Sequence, residues 1–122
     1  MRRFELLLGT ALLFVMALFG SRLMRVAGSG HSMEPGLRDG DWLIVDRRGR
    51  ANIGDVVVAV DPRENGRVII KRLATVGSDS QLTIASDHPA HAEEEIGPVA
   101  ASAVVGRAVL IYWPPRRVGY VH

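Results

Sequence analysis

Residues 28–45 read Gly-Ser-Gly-His-Ser-Met-Glu-Pro-Gly-Leu-Arg-Asp-Gly-Asp-Trp-Leu-Ile-Val, and the reading of the whole chain turns on them. Gly28 and Gly30 free the backbone on the approach to Ser32, and Pro35 with Gly36 sets a turn after it. Gly40-Asp41 makes a second turn, and Trp42-Leu43-Ile44-Val45 then reads as a buried strand. A hydroxyl between flexible glycines and a proline turn is exposed and held by its surroundings, which suits a nucleophile. The same residues suit a plain loop in which Ser32 caps one helical turn. The rest of the chain has to separate these two readings.

With 122 residues there is room for one domain. Hydrophobic residues make up 48% of the chain, and many of them lie in one N-terminal run, so the folded part is smaller than the length suggests. The absence of cysteine excludes a disulfide framework, a zinc-thiolate centre and a cysteine nucleophile, and it leaves the folding compartment open. Arg47, Arg48 and Arg50 cluster, as do Arg116 and Arg117, but no aromatic residues interleave with them. They read as solvated turns, and no nucleic-acid partner is expected.

Residues 4–20 are apolar except for Glu5 at the edge, and Arg2 and Arg3 precede them. About 20 residues are needed to cross a bilayer core, and the run reaches that length by extending to residue 24 with Arg22 at the interface. A cleaved signal would end in a small-x-small site, and Leu18-Phe19-Gly20-Ser21-Arg22 supplies a poor one. A core helix would carry a polar face, and none is present. The expected organisation is therefore an uncleaved membrane anchor helix over residues 4–24 and a flexible link over residues 25–31. A β domain over residues 32–113 and a frayed tail over residues 114–122 follow. Arg22 and Arg25 nearly balance Arg2 and Arg3, so charge gives the orientation little direction, and an extracytoplasmic domain is preferred.

After residue 31 the chain is strand-like throughout. Gly54-Asp55 introduces Val56-Val57-Val58-Ala59-Val60, echoing the turn-then-strand unit at Gly40-Asp41. Residues 61–66 form a hairpin connection into a β-branched strand over residues 67–76. A further turn leads to a strand over residues 81–85, and a polar loop with Pro89 and three glutamates runs to Gly97-Pro98. Residues 103–113 make a last strand with a bulge at Gly106, which Pro114-Pro115 ends. The fold class is mainly β, an antiparallel domain with one N-terminal transmembrane helix.

Alternation along Val68-Ile69-Ile70-Lys71-Arg72-Leu73-Ala74 puts Lys71 on one face with Ile69 and Leu73. Burial there disfavours the ammonium form. A free lysine, with a pKa of about 10.4, is protonated at neutral pH and cannot accept a proton. A desolvated one can act as a base. The alternative is a lysine that snorkels out at a sheet edge. A desolvated lysine and a loop serine in one small β domain together point to a Ser-Lys hydrolase.

These residues resemble the type I signal peptidases, membrane-anchored serine proteases with a Ser-Lys dyad. Gly30-x-Ser32-Met33-x-Pro35-x-Leu37-x-x-Gly40-Asp41 resembles the nucleophile box. Gly54-Asp55-Val56-Val57 resembles the second box, and Ile70-Lys71-Arg72-Leu73 the lysine box. Ser86-Asp87-His88, Gly97-Pro98-Val99 and Val105-Gly106-Arg107 resemble the final one, in the same order. The resemblance, over roughly residues 5–113, implies a signal-peptidase-like fold with Ser32 as nucleophile and Lys71 as general base. The Ser32 backbone N–H would hold the oxyanion and Met33 would line the substrate cleft. It also implies a membrane-bound enzyme with no cofactor, acting on proteins that carry an N-terminal signal or propeptide. The short spacing between Lys71 and Gly97 leaves out the domain inserted in larger members. With Gly40-Asp41-Trp42-Leu43 and Tyr112-Trp113-Pro114, this layout is most similar to the nickel-type superoxide dismutase maturation proteases, which are expected to free a nickel-binding N-terminal histidine.

Three positions depart from the pattern. Gly36 replaces the usual threonine, and Gly30 replaces a serine that some members use as a second oxyanion donor. The usual Ser-x-Asp-Ser-Arg of the final box is met by Ala90-His91-Ala92-Glu93-Glu94-Glu95, so the serine that orients the lysine has no match there. His31 adjoins Ser32, but neighbouring extended residues point apart, so no Ser-His pair is expected. His88 and His91 with Glu93 and Glu94 lack a third fixed ligand, and no metal site is expected. A self-cleaving repressor-type domain would carry a DNA-binding helical module where this chain has an apolar run. A membrane-tethered β domain with a decayed dyad, which only binds partners, is the alternative function.

Overall fold

The computed structural model describes residues 22–64, 66–91 and 95–122. The apolar run over residues 4–20, read as an anchor, lies outside them. Among the described residues no helix is long and apolar enough to cross a membrane.

Among the described residues eight strands are present: β1 (Leu23–Ala27), β2 (Trp42–Asp46), β3 (Val56–Val60), β4 (Val68–Val76), β5 (Gln81–Ala85), β6 (Ile96–Ala100), β7 (Val104–Trp113) and β8 (Gly119–Tyr120). They form one sheet in the order β1-β2-β7-β3-β4-β5-β6, with β8 added alongside β7. Every pairing is antiparallel. The sheet covers both faces of its middle. Val57 and Val58 point to opposite faces of β3, and both are fully buried. This is why β3 reads as an unbroken apolar run instead of an alternating one. Val58 packs with Leu43, Val45, Ala108 and Ile111 in one core cluster. Val57 packs with Ile69, Leu73, Ile84 and Val99 in the other.

Strand β7 is the hub, because it pairs with both β2 and β3. Gly106 makes that crossing possible. A Cβ at this position would collide with the Asp46 carbonyl oxygen and the Val45 side chain, so only glycine allows β2 and β7 to approach. The ladder with β3 slips beside it, pairing Val58 with Gly106 but Ala59 with Val104, which leaves Val105 as the extra residue of a bulge.

Three expectations are corrected. Leu23 and Met24, expected at the end of the anchor helix, and residues 25–27, expected in a flexible link, belong to β1, where they pair with residues 42–46 of β2. The polar loop ends earlier than expected, because Ile96–Ala100 is a strand whose Ile96 and Val99 are buried against Ile84 and Leu82. The expected frayed tail is ordered as well. A 3-10 turn over Pro115–Arg117 leads into β8, and Val121 donates its N–H to the Val109 carbonyl and packs on the first core cluster. The basic tail holds because its arginine has a buried carboxylate to bind, as the site shows.

Candidate active site

Ser32 sits in a loop whose mouth is fastened by backbone hydrogen bonds. Gly28 N–H donates to the Asp41 carbonyl at 2.7 Å, and Gly40 N–H donates to the Gly28 carbonyl at 3.1 Å. Inside the loop, Leu37 N–H reaches the Met33 carbonyl at 3.0 Å. The side chains of Met33 and Leu37 are buried in the first core cluster. These two apolar pegs pin the loop to the sheet and leave Ser32, just before Met33, half-buried at the surface. The Gly30 N–H is taken by Asp39 Oδ1 at 2.9 Å.

Beneath the loop, Asp41 is 1% exposed. Arg117 from the C-terminal turn donates to both its carboxylate oxygens, at 3.1 and 2.9 Å, and to the Gly36 carbonyl at 3.0 Å. Burial acts to raise the Asp41 carboxyl. The hydrogen bonds from Arg117 and the Arg38 N–H, with the charges of both arginines, outweigh it and hold the group below its ordinary range.

The lysine lies where alternation along β4 put it. Ile69, Lys71 and Leu73 are buried on one face while Ile70, Arg72 and Ala74 are half-exposed. Lys71 is 7% exposed, and its Nζ donates to Ser86 Oγ at 2.9 Å. Ser86 is therefore the hydroxyl partner of Lys71, a place that residues 90–95 do not fill with a serine. The signal for it was the hairpin register. Arg72 pairs with Ala85 across β4 and β5, which places the residue after Ala85 opposite Lys71. The next two residues extend the pattern. Asp87 accepts two hydrogen bonds from Arg72, at 2.9 and 2.6 Å, and His88 N–H donates to the Ser32 carbonyl at 2.9 Å. One tripeptide, Ser86-Asp87-His88, thus ties down Lys71, Arg72 and the Ser32 loop.

Ser32, Met33 and Lys71 all line one cleft of about 180 Å³. Its walls include Val26, Ala27 and Gly28 at the end of β1 and Val68 to Lys71 at the start of β4. Both walls expose strand edges. β1 pairs only with β2, and β4 meets β5 only from Arg72 onward, so among the described residues these edges have no partner strand.

His31 is turned to Glu34, with Nδ1 and Oε1 2.6 Å apart. The hydrogen bond raises His31 above its ordinary pKa and holds Glu34 below its own. His88 Nδ1 accepts the Ala90 N–H at 3.1 Å. The side chain of His91, and Glu93 and Glu94 entirely, lie outside the described residues.

A model of the Peptidase S24-like family matches residues 13–109. The chain belongs to that family. Within it, the chain is similar to the mitochondrial inner membrane protease subunit 2 of Danio rerio, at 33% identity over 115 residues. The match covers 72% of this chain and 63% of that relative, so the chain spans under two thirds of its length. The family is described as peptidase-like and the relative as a protease subunit.

Proposed function

We propose that the protein is a membrane-anchored serine endopeptidase that removes an N-terminal signal or propeptide, with Ser32 as nucleophile and Lys71 as general base. One observation carries this reading: Lys71 is buried in the cleft that Ser32 lines and is held by the Ser86 hydroxyl. Burial between apolar neighbours favours the neutral amine, and the bond to Ser86 fixes its rotation so that the lone pair can face Ser32. The amine takes the Ser32 Oγ proton as the oxygen attacks the scissile carbonyl carbon. The Ser32 N–H steadies the oxyanion, and the ammonium protonates the leaving amine as the peptide bond breaks. Water then releases the acyl group with the same lysine as base.

The unpaired edges of β1 and β4 fit a substrate that enters extended and adds a strand between them, with Met33 lining its path. The small cleft favours small side chains beside the cut. Residues 4–20 supply the anchor and the domain faces the extracytoplasmic side. The compact layout extends the reading to the propeptide of a nickel-type superoxide dismutase.

The test incubates the full chain with that propeptide substrate and sequences the new N-terminus. The wild type cleaves and Ser32→Ala does not, while its stability changes by no more than about 1 kcal/mol, the scale of a lost cap. Full turnover by Ser32→Ala would remove the covalent mechanism.

A further inference from the structure

A second cavity, of about 470 Å³, shares no lining residue with the Ser32–Lys71 cleft. Its apolar floor is Leu73, Val76 and Leu82 from the β4–β5 hairpin. Arg47, Arg50 and Arg107 also line it, and among the described residues no acidic side chain does. No salt bridge among the described residues engages these three arginines. Asp46, the carboxylate that feels the charge of Arg107, is already bound by Arg22 through two hydrogen bonds.

The position of the cavity is as telling as its lining. Arg47 N–H donates to the Arg22 carbonyl at 2.6 Å. The chain therefore passes from the apolar run over residues 4–20 into the domain directly beside the arginine loop. Guanidinium groups match phosphate oxygens in a two-pronged fork, and a soluble anion would make no use of the apolar floor. A molecule with a phosphate at one end and hydrocarbon at the other satisfies both halves.

We propose that this cavity binds an anionic phospholipid of the membrane that residues 4–20 enter. Its phosphate sits on Arg47, Arg50 and Arg107 and the start of its acyl chains lies on Leu73, Val76 and Leu82. The proposal rests on the anchor reading above, and it gives the domain a fixed lean on the membrane independent of the anchor.

The full chain in phosphatidylcholine nanodiscs tests it, with a trace of photoactivatable phosphatidylglycerol or photoactivatable phosphatidylcholine and mass-spectrometric mapping of the labelled peptides. The phosphatidylglycerol probe is expected to label residues 73–82 several-fold more than the phosphatidylcholine probe. Arg47→Ala with Arg50→Ala should remove that excess. Both arginines are exposed and outside the cleft, so peptidase activity of the double variant stays at the wild-type level. Equal labelling by the two probes, or an excess untouched by the double variant, overturns the proposal. Inorganic phosphate should displace the label only in large excess over the lipid probe; loss of the label at equimolar phosphate overturns the proposal and marks a soluble-anion site. Label on residues 4–20 is read separately: its absence overturns the anchor, whereas absence at residues 73–82 alone overturns the lipid site.

Discussion

Arg117 reaches back across 76 positions of sequence to grip the buried carboxylate of Asp41, beneath the loop that carries Ser32. The C-terminal turn is thus part of the support of the Ser32 loop. Arg117→Ala leaves a buried carboxylate with only the Arg38 N–H. It should cost about 3 kcal/mol, the low end for removing one partner of a buried pair. Denaturant unfolding measures this. Peptidase activity should fall with it, because Asp41 and Arg38 line the cleft.

The same pair sets an acid limit. Asp41, Asp46 and Asp61 are all held below the ordinary carboxyl value of 3.8 in the folded chain. Their contribution to stability is complete above that value and is lost as the pH falls through the depressed folded values. Melting temperature should therefore drop steeply below about pH 4. Arg117→Ala should flatten the Asp41 share of that drop, and an unchanged acid limb would show that Arg117 does not hold the carboxylate in solution.

Ser86→Ala tests the lysine's partner. Loss of one hydrogen bond should cost about 1 kcal/mol of stability. Turnover should fall by part of the roughly hundred- to ten-thousandfold that a positioned base contributes, with KM little changed. Ser86→Thr keeps the hydroxyl and should recover most of the activity. A purely structural role would lower both stability and substrate binding and leave the pH profile alone.

The pattern of recovered and missed features has a physical basis. The burial of Ile69, Lys71 and Leu73 was legible because a strand's side chains alternate, and five apolar residues after Gly54-Asp55 mark β3 to its ends. What failed was non-local. β6 carries Gly97-Pro98 and owes its order to Leu82 and Ile84 on the neighbouring strand. The tail looks frayed until Asp41 is placed under Arg117. β1 merges in sequence with the apolar run before it, and only its partner β2 separates them. Ser86 was quoted within the final box, yet its role needed the hairpin register.

Gly106→Ala tests the hub. The added methyl group meets the Asp46 carbonyl, which is backbone and cannot swing aside. Destabilisation should reach about 3 kcal/mol, the upper part of the range for overpacking. A melt unchanged from wild type would mean that β2 and β7 can separate freely.

Lys71 is the base of the proposed reaction. Its seat between Ile69 and Leu73 keeps it from water, and a base must be neutral to act. Activity should therefore rise with pH along one ionisation lying below that of a free lysine. Lys71→Arg should be inactive, because guanidinium stays protonated at every accessible pH. Lys71→Met has nearly the same shape without the amine. It relieves the cost of a buried polar group but deprives the half-buried Ser86 hydroxyl of its donor, so the two effects should leave stability within about 1 kcal/mol of wild type. A pH–rate profile beside melts of both variants decides the matter. Turnover by Lys71→Met near the wild-type rate would sink the Ser-Lys assignment, and a large drop in its melting temperature would make Lys71 a structural residue.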